Sequence, residues 1–176
     1  MKFSATTLQD AILTDVDSHE DERGSFARAM CRDEFTAHGL VGDFVQANLS
    51  TNRLRGTLRG MHMQKPPHQE VKLVRCIRGA MWDVIVDLRP ESPTYRRWEG
   101  FELTDVNRHA LYVPAGFAHG FISLTDDTHV FYLVSTPYVP GAEAGIRWDD
   151  PAIGIEWPMA PAVISGKDRI WPLLGG

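Results

Sequence analysis

No stretch of this chain reads as a long amphipathic helix. Runs rich in Val, Ile, Phe, Tyr and Trp recur along its 176 residues, and each is closed within a few positions by Gly, Pro, Asp or Asn. β-Branched and aromatic residues suit a pleated, half-buried surface, and turn residues at such short intervals leave no room for helices of three or four turns. The pattern predicts an all-β fold of many short antiparallel strands, a sandwich or barrel with few helices. Strands are expected at FVQANLS (44–50), GTLRGMHMQ (56–64), RRWEGFEL (96–103), HALYVP (109–114), GFISL (120–124) and HVFYLVS (129–135). VKLVRCIRGAMWDVIVDLRP (71–90) is expected to form a hairpin. In it Lys72, Val74 and Cys76 share one face, Arg78-Gly79 turns, and Trp82, Val84, Val86 and Leu88 share a face of the return strand. One short helix is expected at RDEFTAHG (32–39), capped by Asp33 and ended by Gly39.

The length suits one domain over residues 1–176, large enough to bury roughly 70% of the surface its unfolded form exposes. Cys31 and Cys76 make no disulfide framework and stand at no zinc-knuckle spacing, so both are expected to be reduced thiols of a cytoplasmic protein. The start, MKFSATTLQDAILTDVD, lacks an apolar core of signal-peptide length. No apolar run approaches the roughly 20 residues that span a bilayer, and no membrane partner is expected. A net charge of -5 argues against a nucleic-acid partner, which needs a basic surface. Cations nevertheless cluster at Arg53, Arg55 and Arg59, followed by Lys65, Lys72, Arg75 and Arg78. A small anionic ligand accounts for that enrichment, and so does a solvated strand face. From Pro151 onward the chain holds four of its eleven prolines and is expected to pack as turns and short helical pieces against the barrel.

Chemistry enters at His62, an imidazole between two methionines with Arg59 three residues before it. Taken alone it is a neutral core histidine or a site residue. LYVPAGFAHGF (111–121) carries Pro114 and Gly116 in a tight turn and then His119, whose ring can point into a barrel mouth. This P-x-G-x-x-H resembles the second motif of the cupin superfamily, double-sheet jelly rolls. Many cupins hold a metal through an H-x-H pair and a glutamate, and no H-x-H occurs here. His68, Glu70 and His119 are the set from which a Zn or Fe site could still be built, with His68 alternatively an exposed loop residue. No metal and no cofactor are expected.

The pieces become specific when taken together. DERGSF (21–26), QANLS (46–50), LRGMHMQ (58–64), KLVRCIRGAMWDVIVDLRPESPTYRRWEG (72–100), LYVPAGFAHGFISL (111–124), FYLVSTPYVPGAEAGIRWDDPAIGIEWP (131–158) and SGKD (165–168) follow one another along nearly the whole chain. In that order they resemble the dTDP-4-dehydrorhamnose 3,5-epimerase family. The resemblance implies a metal-independent jelly-roll homodimer acting on a nucleotide-diphosphate-linked 4-keto-6-deoxyhexose, with the DERG segment reaching toward the neighbouring subunit. Such an epimerisation needs a base for the proton beside the ketone, a holder for the enolate charge, and an acid on the other face.

An imidazole suits the base, and His62 is its candidate; by resemblance Asp168 is the carboxylate behind it, although residue type alone makes Asp168 a surface acid. A phenol stays protonated at neutral pH and suits the acid. Tyr132 shares a face with Val130 and Val134 and is otherwise a core residue. Lys72, an inward lysine, is the candidate for the enolate oxygen, and His119 for that oxygen or a nearby phosphate. The resemblance further implies Arg23, Arg59 and Lys167 at the diphosphate, Gln46, Asn48 and Glu143 as polar contacts, and Phe26 and Tyr138 packed on base or sugar. Three positions depart from the family pattern: Arg28 stands where glutamate is common at a nucleotide contact, Glu70 where glutamine is usual, and Leu133 where lysine is frequent. Arg28 leaves the recognised base open, and Leu133 is expected to bear on the orientation of Tyr132. A single-site C3 or C5 epimerase, a metal-dependent cupin oxygenase or isomerase, and a non-catalytic sugar-nucleotide binder are the other classes the residues allow.

Overall fold

The structure is a computed structural model that describes residues 1–175. In chain order the strands are β1 (Lys2–Ala5), β2 (Ile12–Asp15), β3 (Ser18–Asp21), β4 (Gly24–Ala27), β5 (Gln46–Asn52), β6 (Thr57–Gln64), β7 (Lys72–Arg78), β8 (Ala80–Asp87), β9 (Trp98–Thr104), β10 (Ala110–Val113), β11 (Phe117–Ser123), β12 (Thr128–Val134), β13 (Glu143–Gly145) and β14 (Val163–Ile164). The helices are α1 (Arg32–Ala37) and α2 (Gly166–Arg169), and none among the described residues is long and apolar enough to cross a membrane. One sheet runs β1-β2-β10-β7-β12-β5 and the other β13-β6-β11-β8-β9, with β14 added in parallel to β6. Neighbours that are distant in sequence and antiparallel pairing across two facing sheets make this the expected double-sheet jelly roll.

Alternation along each strand divides the apolar residues among three layers. Between the sheets lie Val74 and Cys76 of β7, Val130 of β12, Met81 and Ile85 of β8 and Phe121 of β11, all buried. On the outer face of the first sheet Leu73 and Tyr112 meet Phe35 of α1, whose ring stands edge-on to Phe3 at 5.2 Å. Full burial of such a side chain stabilises by about 1.5–3 kcal/mol. On the outer face of the second sheet Val84 and Val86 lie under Ile146, Ile153 and Trp157, so the proline-rich segment packs where it was expected to.

Two local expectations are corrected. β7 and β8 form no hairpin: β7 pairs with β10 and β12, while β8 pairs with β9 and β11 in the other sheet. The chain crosses between sheets at Gly79, whose φ of +76° and close approach to the Thr125 hydroxyl exclude a side chain. Trp82, Val84, Val86 and Leu88 do share a face, and it is the outer one beneath the C-terminal segment. Helix α1 is capped at Cys31 with no side-chain bond. Asp33 sits inside its first turn, where its charge favours the helix dipole. Gly39 ends the helix as expected, in a left-handed conformation with its N–H donating to the Thr36 carbonyl at 3.0 Å.

β3 and β4, which hold the DERG segment, pair only with each other, and every residue of the two strands but Ala27 is exposed.

Candidate active site

The site begins where β6 and β11 pair. His62 and His119 are direct partners in the antiparallel register, and the ladder slips between His119 and Phe121. The two backbones come together there on bare glycines: a Cβ on Gly120 would stand 2.8 Å from the Arg59 carbonyl, and one on Gly60 2.5 Å from Gly120 Cα. Close approach without side chains sets the two imidazoles next to one another.

Each imidazole has a carboxylate behind it. His62 Nε2 lies 2.6 Å from Asp168 Oδ1, and His119 Nε2 lies 2.7 Å from Asp83 Oδ1. Asp168 rides on α2, whose first turn is fixed by its own N–H donating to Ser165 Oγ at 3.0 Å. Its second oxygen accepts the Gly60 N–H at 3.3 Å. Burial pushes the Asp168 carboxyl upward, but the bonds from His62 and Gly60 outweigh it and hold the group below its ordinary value. An ionised carboxylate only accepts, so Nε2 of His62 carries the hydrogen and Nδ1 is the basic nitrogen.

Tyr132 comes from β12, opposite Val74 of β7 and on the inner face with Val130 and Val134. Burial pushes its phenol up against the opposing pull of Arg59, which keeps the hydroxyl protonated at neutral pH. Lys72, also inward, places Nζ 3.3 Å from Glu70 Oε1 and 3.4 Å from the His62 carbonyl. Burial lowers its pKa, and the charges of Glu70 and Asp83 oppose that.

These groups line two adjoining hollows of about 370 and 360 Å³, and His62, Lys72 and Tyr132 belong to both. Gln46, Asn48, Glu70, Tyr138 and Glu143 line the first, Arg59 and His119 the second. Lys167 stands at the rim with Nζ 2.6 Å from Glu143 Oε1. Arg23, Phe26 and Arg28 line neither hollow. Arg23 is paired with Asp21, Arg28 with Glu34 at 2.6 Å, and Phe26 is 76% exposed. The expected influence of Leu133 on Tyr132 is corrected too: successive residues point to opposite faces, and Leu133 packs with the Phe35 layer outside the sheet.

Two residues of the site escaped the sequence analysis. Asp83 is an acid among the inward positions Met81 and Ile85, a signal that alternation could have supplied. Trp171 lines the first hollow with its ring centroid 6.1 Å from that of His62, and only its place three residues after Asp168 hinted at this. The rival metal set is not assembled: His119 is bonded to Asp83 and Glu70 to Lys72. Among the described residues no three of His, Cys, Asp and Glu converge as ligands.

A family model for dTDP-4-dehydrorhamnose 3,5-epimerase matches residues 5–175. The chain belongs to the dTDP-4-dehydrorhamnose 3,5-epimerase family. One relative in that family, the dTDP-4-dehydrorhamnose 3,5-epimerase of Methanothermobacter thermautotrophicus, is 45% identical over 173 residues, covering 97% of this chain and 92% of its own. The crystal structure of dTDP-4-dehydrorhamnose 3,5-epimerase from Elizabethkingia anophelis superposes with a TM-score of 0.96 at 38% identity, over 99% of this chain and 97% of that one. That from Bacillus anthracis, solved with TDP and PPi bound, gives a TM-score of 0.95 at 40% identity over 98% and 99%. Kinship with dTDP-4-dehydrorhamnose 3,5-epimerases thus extends over the strands and the carboxyl-terminal segment that build the cavity.

Proposed function

We propose that the chain is an isomerase that epimerises a dTDP-linked 4-keto-6-deoxyhexose at C3 and C5, with residues 1–176 acting as one domain. The observation that carries this is the shared lining of the cavity by an imidazole with a buried carboxylate, a protonated phenol and an ammonium. Nδ1 of His62 takes the proton from the carbon beside the ketone, and Asp168 stabilises the imidazolium that results. Negative charge moves to the keto oxygen, where the Lys72 ammonium and His119 hold it. Tyr132 delivers a proton to the opposite face of that carbon; the His62 imidazolium then releases its proton to solvent and the phenolate takes one back, which resets both groups. Every step moves a proton and none moves an electron, so the cycle calls for no redox cofactor.

Arg59 and Lys167 supply charge for the diphosphate, with Gln46, Asn48, Tyr138 and Glu143 contacting the rest of the nucleotide sugar. The dTDP-4-dehydrorhamnose 3,5-epimerase of Bacillus anthracis, with TDP and PPi bound, supports a nucleotide diphosphate as the ligand class. Arg23, Phe26 and Arg28, which line neither hollow of their own chain's site, act in the site of a second subunit in a homodimer. The projecting β3–β4 pair supports this, as do Leu49, Phe131 and Ile77, exposed at 62%, 37% and 46% on the outer face of the first sheet. Cys31 and Cys76 are free thiols, in keeping with a reducing cytoplasm.

Incubation in D2O with dTDP-4-keto-6-deoxyglucose and its CDP and GDP counterparts, followed by NMR, tests the proposal. Deuterium at C3 and C5 of the dTDP sugar is expected. Label at one carbon alone reduces the protein to a single-site epimerase, and no label from any of the three sugars overturns the enzyme reading.

A further inference from the structure

Lys72 is a cation in a place that disfavours one. Its ammonium is sealed in the cavity wall, and a buried amine tends to shed its proton because the charged form has lost its hydration. A neutral amine would offer an enolate oxygen a weak dipole where the reaction requires a full charge.

The groups around Nζ come from four strands and from the segment that leads into β7. Glu70, two residues ahead in the chain, sets Oε1 at 3.3 Å. β6 contributes the His62 carbonyl at 3.4 Å and, along the second hollow, Arg59. β8 contributes Asp83, whose charge reaches Lys72 while its Oδ1 is taken by His119 of β11 at 2.7 Å. β12 contributes Tyr132. Glu70 is therefore the anion in contact with the ammonium.

The carboxylate depends on the lysine in turn. Glu70 Oε2 is buried without a hydrogen-bond partner, which leaves Lys72 as the polar anchor of Glu70 among the described residues. A buried ammonium and a buried carboxylate in contact each offset part of what the other's burial costs, and removing one leaves the other uncompensated.

We propose that Glu70 is a positioning residue for the epimerisation, holding Lys72 charged and fixed against the His62 backbone so that a full cation faces the developing enolate. This rests on the epimerase reading of the same cavity. Lys72 works as a cation, so activity falls as pH rises through its pKa, and removal of Glu70 brings that fall to lower pH.

The test is the isosteric, uncharged variant Glu70→Gln, with Glu70→Asp as a variant that keeps the charge. In Glu70→Gln the alkaline limb of kcat/KM is expected to move down by about one pH unit or more, so that activity falls further at alkaline than at acid pH. Glu70→Asp should restore part of the shift. Independently of turnover, the side-chain Cε and Nζ resonances of Lys72, assigned by their loss in Lys72→Arg, should titrate at lower pH in Glu70→Gln. An unmoved Lys72 titration, or an equal loss of activity at every pH, overturns the inference. If the wild-type protein labels none of the three sugars, the epimerase reading fails, while the NMR titration still decides whether Glu70 holds that charge.

Discussion

Asp168 serves one imidazole and one backbone amide at once, and both bonds cross the molecule: His62 is 106 residues away in sequence and Gly60 is 108. Removing its charge should therefore affect chemistry and stability separately. Asp168→Asn is expected to lower kcat by about 10²-fold or more, since a general base without its partner forfeits much of what acid–base catalysis supplies. The folded state holds this carboxyl below its ordinary value, so its stabilisation is present above the unfolded pKa of about 3.9 and is lost as pH falls through the folded value. Thermal melting should accordingly show the wild type more stable than Asp168→Asn at pH 6, with the gap closing below about pH 4. At this scale the sequence was legible where the signal was local. Tyr132 and Lys72 could be placed on inward faces by alternation, whereas nothing near SGKD says that its acid meets β6.

A strand's own pattern says which of its residues share a face, and it is silent about which strand lies alongside. That is why β7 and β8 resembled a hairpin although they belong to different sheets. The turn residues Arg78-Gly79 suit a hairpin turn and a crossing between sheets equally well, and the choice is made by β10, β11 and β12, which arrive later in the chain. The close pairing of β6 and β11 depends on something subtler, a pair of bare backbones. Gly120→Ala would press a methyl group to 2.7 Å from the Met61 sulfur and 2.8 Å from the Arg59 carbonyl, and one of the two strands must give way. A loss of about 1–3 kcal/mol is expected in denaturant unfolding, as for overpacking elsewhere. Turnover should fall further than that loss of stability explains, because His62 and His119 sit on the displaced strands.

At the scale of the molecule, the outer face of the first sheet carries an exposed apolar patch. Leu49 and Phe131 are cross-strand partners on the outside of the first sheet, Ile77 extends their patch onto β7, and the β3–β4 pair projects with Phe26 bare. A second copy covering that surface would bury both. Leu49→Glu with Phe131→Glu should convert a dimer to a monomer in analytical ultracentrifugation. Activity should fall with it, because the hairpin residues then reach no site; a variant that stays dimeric and active refutes this arrangement. The barrel was foreseeable from strand-length runs and turn residues, but this surface was not, since an exposed leucine taken singly carries no information.

In the chain, Asp168 follows every strand of both sheets, β14 included. The acceptor imidazole and the acid that tunes it are thus carried by separate pieces of the fold, a sheet strand and a single helical turn behind it. Anything that loosens that turn leaves the sheets paired and takes from His62 the group that makes it a base.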